Sequence, residues 1–273
     1  MPTIAHISDL HLQSGVPERQ TQVEPILQKI NEMKPDLVVI SGDVTDDGWD
    51  SLDELKWAKD WLDARINSPQ MVLPGNHDVG NFANAEEGPI NSERLDRWRS
   101  VFDTNECREF DHWWIVGVNS MTFGLSGNLA SDHFSEISHW IMEADWCKVP
   151  IALFQHSPFF SKSIDEKNPA IDYWVGPKNE RQIIWKQIQR DKTVKLIGSG
   201  HVHQSRLTEV DGIKIAWAPP ASGTCVHSPG LPNPPMPEKT GFFLHHLHDD
   251  GRVESELVEC APMLKCIEFN PWP

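Results

Sequence analysis

The sequence lacks long apolar runs and a secretory leader. No uninterrupted apolar stretch approaches the roughly 20 residues that a membrane-spanning helix needs. The opening residues, MPTIAHISD, begin with a strand-like run rather than with a charged segment followed by an apolar one. We therefore expect neither a protein embedded in a membrane nor a secreted one.

Cysteine is scarce and shows no pattern. The five cysteines are odd in number, widely scattered, and in no case spaced as C-x-x-C. These features argue against a disulfide framework and against a thiolate zinc site. A reduced protein of the cytoplasm is the simplest expectation.

Positive charge is also in short supply. The 24 lysines and arginines stand against 40 aspartates and glutamates, which gives a formal net charge of −16. An acidic surface repels polyanions, so we expect neither a nucleic-acid polymer nor a membrane as a partner. Carboxylates are also oxygen ligands for metals, and bound cations would neutralise part of the excess.

What the sequence does contain is an alternation of strand and helix patterns, typical of an α/β protein. The runs TIAHIS (3–8), DLVVIS (36–41) and QMVLPG (70–75) predict buried parallel strands. Apolar residues at helical spacing predict a helix in each connection, and the second helix, over 51–67, begins with a Ser-x-x-Glu capping box.

The alternation continues along the chain and then changes character. Further helices and strands are predicted, the helices near 92–102, 135–146 and 178–190 and the strands at 113–120, 150–155 and 195–199. The last four strand patterns, SRLTEV, IKIAWA, GFFLHHLH and RVESELVE, are typical of successive antiparallel strands, with a hairpin turn at Asp211 and Gly212.

Two long segments and the C-terminus show no periodic pattern. Residues 157–177 and the proline-rich residues 219–240 are expected to form irregular loops, which in a compact domain are usually binding elements. Residues 259–273 are expected to be an irregular tail. The length of 273 residues then suits one domain over residues 1–258.

Polar side chains that can bind a metal follow five of the predicted strands. The set comprises Asp9, His11, Asp43, Asn76, His77, Asp78, His156, His201 and His203. Ligands gather at the carboxyl ends of parallel strands in such sheets, so these side chains are expected to converge. Oxygen and imidazole ligands without thiolate suit manganese, iron, zinc or cobalt.

The number of these side chains exceeds what one ion needs and indicates two ions, which in two-metal sites lie roughly 3.5–4 Å apart. Asp43, on a glycine-tight turn, is the natural bridge. The spacing of His201 and His203 places both rings on one side of the chain. This spacing alone allows two ligands of one metal, ligands of two metals, or a structural pair.

In this order, the motifs D-x-H, G-D, G-N-H-D, H and G-H-x-H resemble the signature of the calcineurin-like metallophosphoesterase superfamily, over residues 9–203. The motif APPASG resembles the class III cyclic-nucleotide phosphodiesterase branch. The resemblance implies a four-layer αββα sandwich. One position departs from the pattern: Gln155 precedes His156, where many relatives have a second histidine.

The resemblance also implies roles for the residues. Asp9, His11 and His203 would bind one metal, Asp43 would bridge, and the second metal would be completed by Asn76, His156 and His201. His77 would lie beside the metals and contact the phosphate or the leaving oxygen. Asp78 would orient His77 and favour its protonated form.

The function expected from this set is hydrolysis of a phosphate ester by two metal ions. A small diester, either a cyclic nucleotide or a glycerophosphodiester, is the first choice, because the motif loops carry no cation beyond Lys162 and Lys167. The alternatives are a phosphomonoesterase or protein phosphatase and, in a different class, a non-catalytic scaffold. A homo-oligomer is compatible with the composition.

The remaining polar residues are interpreted as structural or solvated. Asp46 and Asp47 could support the metal ligands from outside, but a solvated turn is the preferred expectation. His227 is left open as a residue that could face substrate. The other histidines are assigned no role in the site: His6, His112, His133, His139, His245, His246 and His248.

Overall fold

The computed structural model describes residues 1–81, 87–103, 106–110, 112–123, 125, 128–165, 173–175, 177–223 and 239–262. Two mixed β-sheets form its centre. The first has the strand order β11-β10-β1-β2-β3 and the second the order β4-β5-β6-β7-β9-β8. The strands are β1 (Thr3–Ile7), β2 (Leu37–Ser41), β3 (Gln70–Leu73), β4 (Glu106–Phe110), β5 (Trp113–Val118), β6 (Ile151–Gln155), β7 (Val194–Ser199), β8 (Arg206–Val210), β9 (Ile213–Trp217), β10 (Lys239–Leu247) and β11 (Val253–Pro262).

Helices connect most of the parallel strands. They are α1 (Pro17–Met33), α2 (Leu52–Asp63), α3 (Asn76–Val79), α4 (Ser92–Arg99), α5 (Asn128–Cys147) and α6 (Lys178–Asp191), with a 3₁₀ turn at Ser120–Thr122. Ser51 caps α2 as expected, since its Oγ accepts a hydrogen bond from the Glu54 backbone N–H at 3.2 Å. The Glu54 carboxylate binds elsewhere and accepts from the backbone N–H of Ser14.

Three apolar clusters separate four layers. One cluster lies between the sheets and contains Ile4, Leu37, Phe154 and Phe243. A second packs α1, α2 and α4 against the outer face of the first sheet. The third packs α5 and α6 against the outer face of the second sheet. The expected α/β class and αββα layering are confirmed. None of the helices in the described part of the chain is long and apolar enough to cross a membrane.

The last four strands differ from the expected antiparallel succession. Strands β8 and β9 do form a hairpin, and its turn at Asp211 and Gly212 has the two positive φ angles, 54° and 78°, of a type I′ turn. Strand β9, however, also pairs in parallel with β7, and β10 lies in the other sheet, antiparallel to β1. A strand pattern shows which residues are buried but not which strand pairs with which.

Two further differences concern an edge strand and the C-terminus. Strand β4 was not predicted from the sequence, because its residues ECREF carry the charges typical of a sheet edge. Strand β11 runs to Pro262, so residues 259–262, expected to begin the tail, belong to the sheet. Residues 263–273 lie outside the described residues, as do 166–172 and 224–238, and with the last group His227.

Candidate metal centre

Five loops bring the predicted ligands together at the carboxyl ends of β1, β2, β3, β6 and β7. Their backbone is unusual. Asp9, His11, Asp43, His201 and His203 have φ angles of 56°, 44°, 50°, 67° and 50°. This left-handed conformation costs a residue with a Cβ about 1 kcal/mol or more. Such conformations persist where the surrounding structure enforces them and cluster at functional sites.

Close backbone approach also shapes the centre. A Cβ added to Gly75 would lie 2.2 Å from Oδ1 of Asp43, and one added to Gly42 would lie 2.3 Å from Nδ1 of His156. Gly42 also has a φ of 98°. The two glycines therefore let the loops after β2 and β3 pack directly against ligand side chains.

The first group of ligand atoms comes from Asp9, His11, Asp43 and His203, whose donor atoms all lie within 4.8 Å of one another. Nε2 of His203 is 3.4 Å from Oδ1 of Asp9, and Nε2 of His11 is 3.7 Å from Oδ2 of Asp43. The two Nε2 atoms of His11 and His203 are 3.1 Å apart. Facing imidazole lone pairs repel each other, so a shared cation would stabilise this arrangement.

The second group comes from Asp43, His156 and His201. Nε2 of His156 is 3.2 Å from Oδ2 of Asp43 and 3.1 Å from Oδ1 of Asn76. The His156 and His201 rings lie 4.8 Å apart. Asp43 thus belongs to both groups, which is the position required of a bridging carboxylate.

The four histidines of these groups are held by acceptors on the side away from the centre. The contacts run from His156 Nδ1 to the Ser41 carbonyl oxygen (2.8 Å), from His201 Nε2 to that of Tyr173 (2.9 Å), from His203 Nδ1 to that of Gly223 (3.0 Å) and from His11 Nδ1 to Oδ1 of Asp46 (3.0 Å). Each acceptor fixes the tautomer, so that the other ring nitrogen presents a lone pair inward. The residues therefore fit a pair of metal ions.

The electrostatics of the centre also favour cations. Burial lowers the pKa of His156, but the carboxylate of Asp43 outweighs it and raises this pKa to about 9. Burial raises the pKa of Asp43, yet His156 and His77 hold it well below its ordinary value. The buried carboxylates thus create a negative potential that stabilises positive charge at the ligand nitrogens.

His77 lies beside both groups. Its backbone N–H donates to Oδ1 of Asp43 at 2.9 Å, and its Nδ1 contacts the carbonyl oxygen of Asp46 at 2.9 Å. A third group of atoms that could hold a metal comes from His11, Asp46 and His77. Hydrogen bonds explain this group, because Nδ1 of His11 contacts the Asp46 carboxylate and Nδ1 of His77 contacts the Asp46 carbonyl oxygen. Burial lowers the pKa of His77, but Asp43, Glu87 and Asp46 outweigh it and raise this pKa to about 9.

Asp78 has a different place from the one expected. Its Oδ1 accepts from the backbone N–H and hydroxyl of Thr45 (2.9 and 2.8 Å), and its Oδ2 accepts from the backbone N–H groups of Val44 and Gly75 (3.1 and 2.9 Å). Asp78 therefore ties the loop after β2 to the loop after β3. The contact that orients His77 is the Asp46 carbonyl. The carboxylate of Asp78 folds back on Gly75 at the start of α3, as in a capping box.

Two further residues contact the centre. For Asp46 a solvated turn was preferred over a supporting role, and it is the supporting role that agrees with the structure, since Asp46 contacts His11 and pairs with Arg19 at 3.2 Å. Glu87, which is 2% exposed, accepts a hydrogen bond from Nδ2 of Asn76 at 2.6 Å. No local motif predicts this contact, because Glu87 lies eleven residues from Asn76 in the sequence.

Two adjoining groups of nitrogen and oxygen ligands that share one carboxylate define a dinuclear type of metal centre. The chain matches the family described as Calcineurin-like phosphoesterase over residues 2–205, and it belongs to that family. The resemblance seen in the sequence is therefore confirmed, and family membership supports a phosphoric ester hydrolase.

Proteins of similar sequence are named for different activities. A probable cyclic nucleotide phosphodiesterase from Synechococcus is 26% identical over 264 residues, 93% of this chain and 91% of the relative, in agreement with the class III branch. A serine/threonine-protein phosphatase from Rattus norvegicus is 26% identical over 204 residues, 67% of this chain and 58% of the relative. A dimetal phosphatase from Danio rerio has a similar fold, with a TM-score of 0.61, 12% identity, and coverage of 96% of this chain and 100% of that one.

Proposed function

We propose that this protein is a two-metal phosphodiesterase that hydrolyses a small diester, either a cyclic nucleotide or a glycerophosphodiester. The observation that carries the proposal is the place of Asp43 in both ligand groups, with His77 directly beside it. A bridged metal pair can stabilise the attacking and leaving oxygens of an in-line displacement at phosphorus, and an adjacent imidazole can act as an acid.

The ligand assignment follows the two groups. Asp9, His11 and His203 would hold one ion, the second would be held by Asn76, His156 and His201, and Asp43 would contact both. The donor set contains nitrogen and oxygen but no sulfur, which suits manganese, iron, zinc or cobalt. When bound, such ions polarise phosphoryl oxygens and lower the pKa of water so that hydroxide is available near neutral pH.

His77 is the residue placed to supply the proton. Its Nδ1 contacts the carbonyl oxygen of Asp46, so Nε2 is the ring nitrogen left to face a substrate. The side chain is 15% exposed, so a substrate can reach it. From this position Nε2–H can donate to the leaving oxygen or hydrogen-bond a phosphoryl oxygen as negative charge develops there.

The choice of a diester depends on the cations near the centre. A monoester dianion benefits from positive charge in addition to that of the metals. Arg19, a cationic side chain next to the ligands, is already paired with Asp46. The name of the Synechococcus relative points the same way. The monoester alternative is supported by the name of the rat relative, and by the partial exposure of Arg19, which would let it turn to a substrate.

The test compares bis(p-nitrophenyl) phosphate with p-nitrophenyl phosphate, each with Mn²⁺ and with EDTA. We expect kcat/KM at least about tenfold higher for the diester, a difference of about 1.4 kcal/mol in transition-state binding. EDTA should abolish turnover of both. A preference for the monoester would favour the alternative, and turnover that is absent or resistant to EDTA would refute a metallohydrolase.

A further inference from the structure

We propose that Glu87 is a positioning residue of the metal centre, which holds the Asn76 amide in the one orientation that can bind a metal. This inference rests on the proposed two-metal function. Glu87 lies outside the sequence motifs, eleven residues beyond Asn76, and comes from the loop between α3 and α4.

The orientation of the Asn76 amide follows from its two neighbours. Oε1 of Glu87 lies 2.6 Å from Nδ2 of Asn76, while Oδ1 of Asn76 lies 3.1 Å from Nε2 of His156. In this contact Nδ2 of Asn76 donates and the Glu87 carboxylate oxygen accepts, so the NH₂ end of the amide faces Glu87. The carbonyl end is thereby turned toward His156 and Asp43, where an oxygen ligand is needed.

Without a partner of this kind, an asparagine amide can rotate by half a turn and present its NH₂ group to the metal. The NH₂ group has no lone pair to offer a cation and would repel it. Asn76 itself is 1% exposed, so water has little access to fix the amide instead. Glu87 therefore determines whether Asn76 acts as a ligand.

The Glu87 carboxylate is buried. Glu87 is 2% exposed, and its Oε2 has no hydrogen-bond partner within the described part of the chain. Burial of a carboxylate is unfavourable unless positive charge compensates it. Two groups nearby can carry positive charge: His77, whose Nε2 lies 3.6 Å from Oε1, and Arg94, whose guanidinium binds the Glu87 carbonyl oxygen. A cation held by Asn76 would add to them.

The backbone around Glu87 is held firmly. Nη1 of Arg94 donates to the carbonyl oxygens of Glu87 and Pro89, at 2.7 and 2.9 Å. The Arg94 guanidinium lies over the ring of Trp49, 4.8 Å from its centroid. The backbone N–H of Asn81 donates to the carbonyl oxygen of Gly88 at 2.8 Å. The carboxylate is thus presented from a fixed backbone, as a positioning role requires.

The test measures Mn²⁺ binding to metal-stripped protein by isothermal titration calorimetry. Loss of a residue that orients a metal ligand typically weakens metal affinity about 10–100-fold. We expect Glu87→Ala to lower by this factor the affinity for the ion held by Asn76, His156 and His201. The affinity for the ion held by Asp9, His11 and His203 should change little. The spin-coupled EPR signal of a Mn²⁺ pair should decrease in parallel.

Three comparisons separate positioning from general destabilisation. Glu87→Gln keeps an acceptor for Asn76 and should bind the ions more tightly than Glu87→Met, which has a similar size but lacks that acceptor and should behave as Glu87→Ala. In an Asn76→Ala background, Glu87→Ala should have no further effect, since the two act through one amide. Glu93→Ala, which removes an exposed carboxylate paired with Arg97, is the matched control and should change nothing.

Two results would overturn the proposal. One is equal metal affinity in the Gln and Met variants, a comparison that remains readable if the Ala variant does not fold. The other is additive losses for Asn76→Ala and Glu87→Ala. Because binding is measured without turnover, a wild-type protein that binds two ions but hydrolyses neither ester would refute the proposed function and leave the role of Glu87 to be decided separately.

Discussion

Nε2 of His156 lies 3.2 Å from Oδ2 of Asp43, and both side chains are buried. The same oxygen lies 3.7 Å from Nε2 of His11, which belongs to the other ligand group. One carboxylate therefore joins two imidazole clusters that come from loops after different strands. We therefore expect Asp43 to bridge the two metals.

The first prediction concerns this bridge. Asp43→Asn keeps the shape of the side chain but removes the negative charge that both groups share. We expect a loss in kcat/KM larger than the 10–100-fold typical of an outer partner of a metal ligand, and fewer than two Mn²⁺ ions per chain by elemental analysis. Two tightly bound ions in this variant would mean that Asp43 does not bridge.

The second prediction concerns His77. His77→Ala should retain both ions and lose about 10²–10⁴-fold in kcat, the usual contribution of a positioned acid or base. The loss should be smaller for p-nitrophenyl esters than for an alkyl diester such as glycerophosphocholine, because p-nitrophenolate needs little protonation to leave. Release of a metal by the variant, or equal losses for both kinds of ester, would contradict the assigned role.

The third prediction separates two adjacent aspartates. Asp46→Asn weakens the contact with Nδ1 of His11 and should lower metal affinity and kcat/KM about 10–100-fold. Asp47 contacts Nε2 of Gln13 at 2.8 Å and none of the ligands, so Asp47→Asn should stay within about threefold of the wild type. Similar effects in the two variants would show that Asp46 does not support the metal ligands.

The fourth prediction concerns acid stability. His6 and His245 lie between the sheets, their rings 5.7 Å apart. Burial lowers the pKa of His6 to about 3 and that of His245 well below its ordinary value. Above a pH of about 6.5 both are neutral in the folded and the unfolded chain, and they do not affect stability. As pH falls from about 6.5 toward 3, the unfolded chain gains protons that the folded chain does not, so stability decreases.

For His6, whose pKa in the folded chain is about 3, the decrease should be about 2 kcal/mol between pH 7 and pH 5, and His245 should add a decrease of the same sign. Urea unfolding of EDTA-treated protein at the two pH values measures it. His245→Gln should lose less stability on acidification than the wild type, whereas the exposed His139→Gln should match it. An unchanged pH dependence in His245→Gln would show that His245 does not contribute.

The convergence of the polar side chains could be predicted from the sequence because most of them directly follow strands. Asp9, Asp43, His156 and His201 stand where β1, β2, β6 and β7 end, and parallel strands bring those ends together. Apolar patterns likewise identified most strands and the helices of the outer layers. Such inferences need only local pattern and the general geometry of parallel sheets.

Contacts that depend on side-chain direction or loop path were not predictable in this way. Asp78 follows His77 in the motif, yet its carboxylate turns to Thr45 and Gly75. Asp46 lies beyond the end of β2 and Glu87 lies eleven residues beyond Asn76, and no periodicity predicts the contacts of either residue. The partners of β9 and β10 were missed because burial along a strand does not identify its neighbour.

A titration of metal-stripped protein with Mn²⁺, with bis(p-nitrophenyl) phosphate hydrolysis followed at each step, tests whether two metals act together. We expect activity to rise with occupancy of the second site and to reach its plateau at two ions per chain. Full activity at one ion per chain, or activity that persists in the metal-stripped protein, would contradict this expectation.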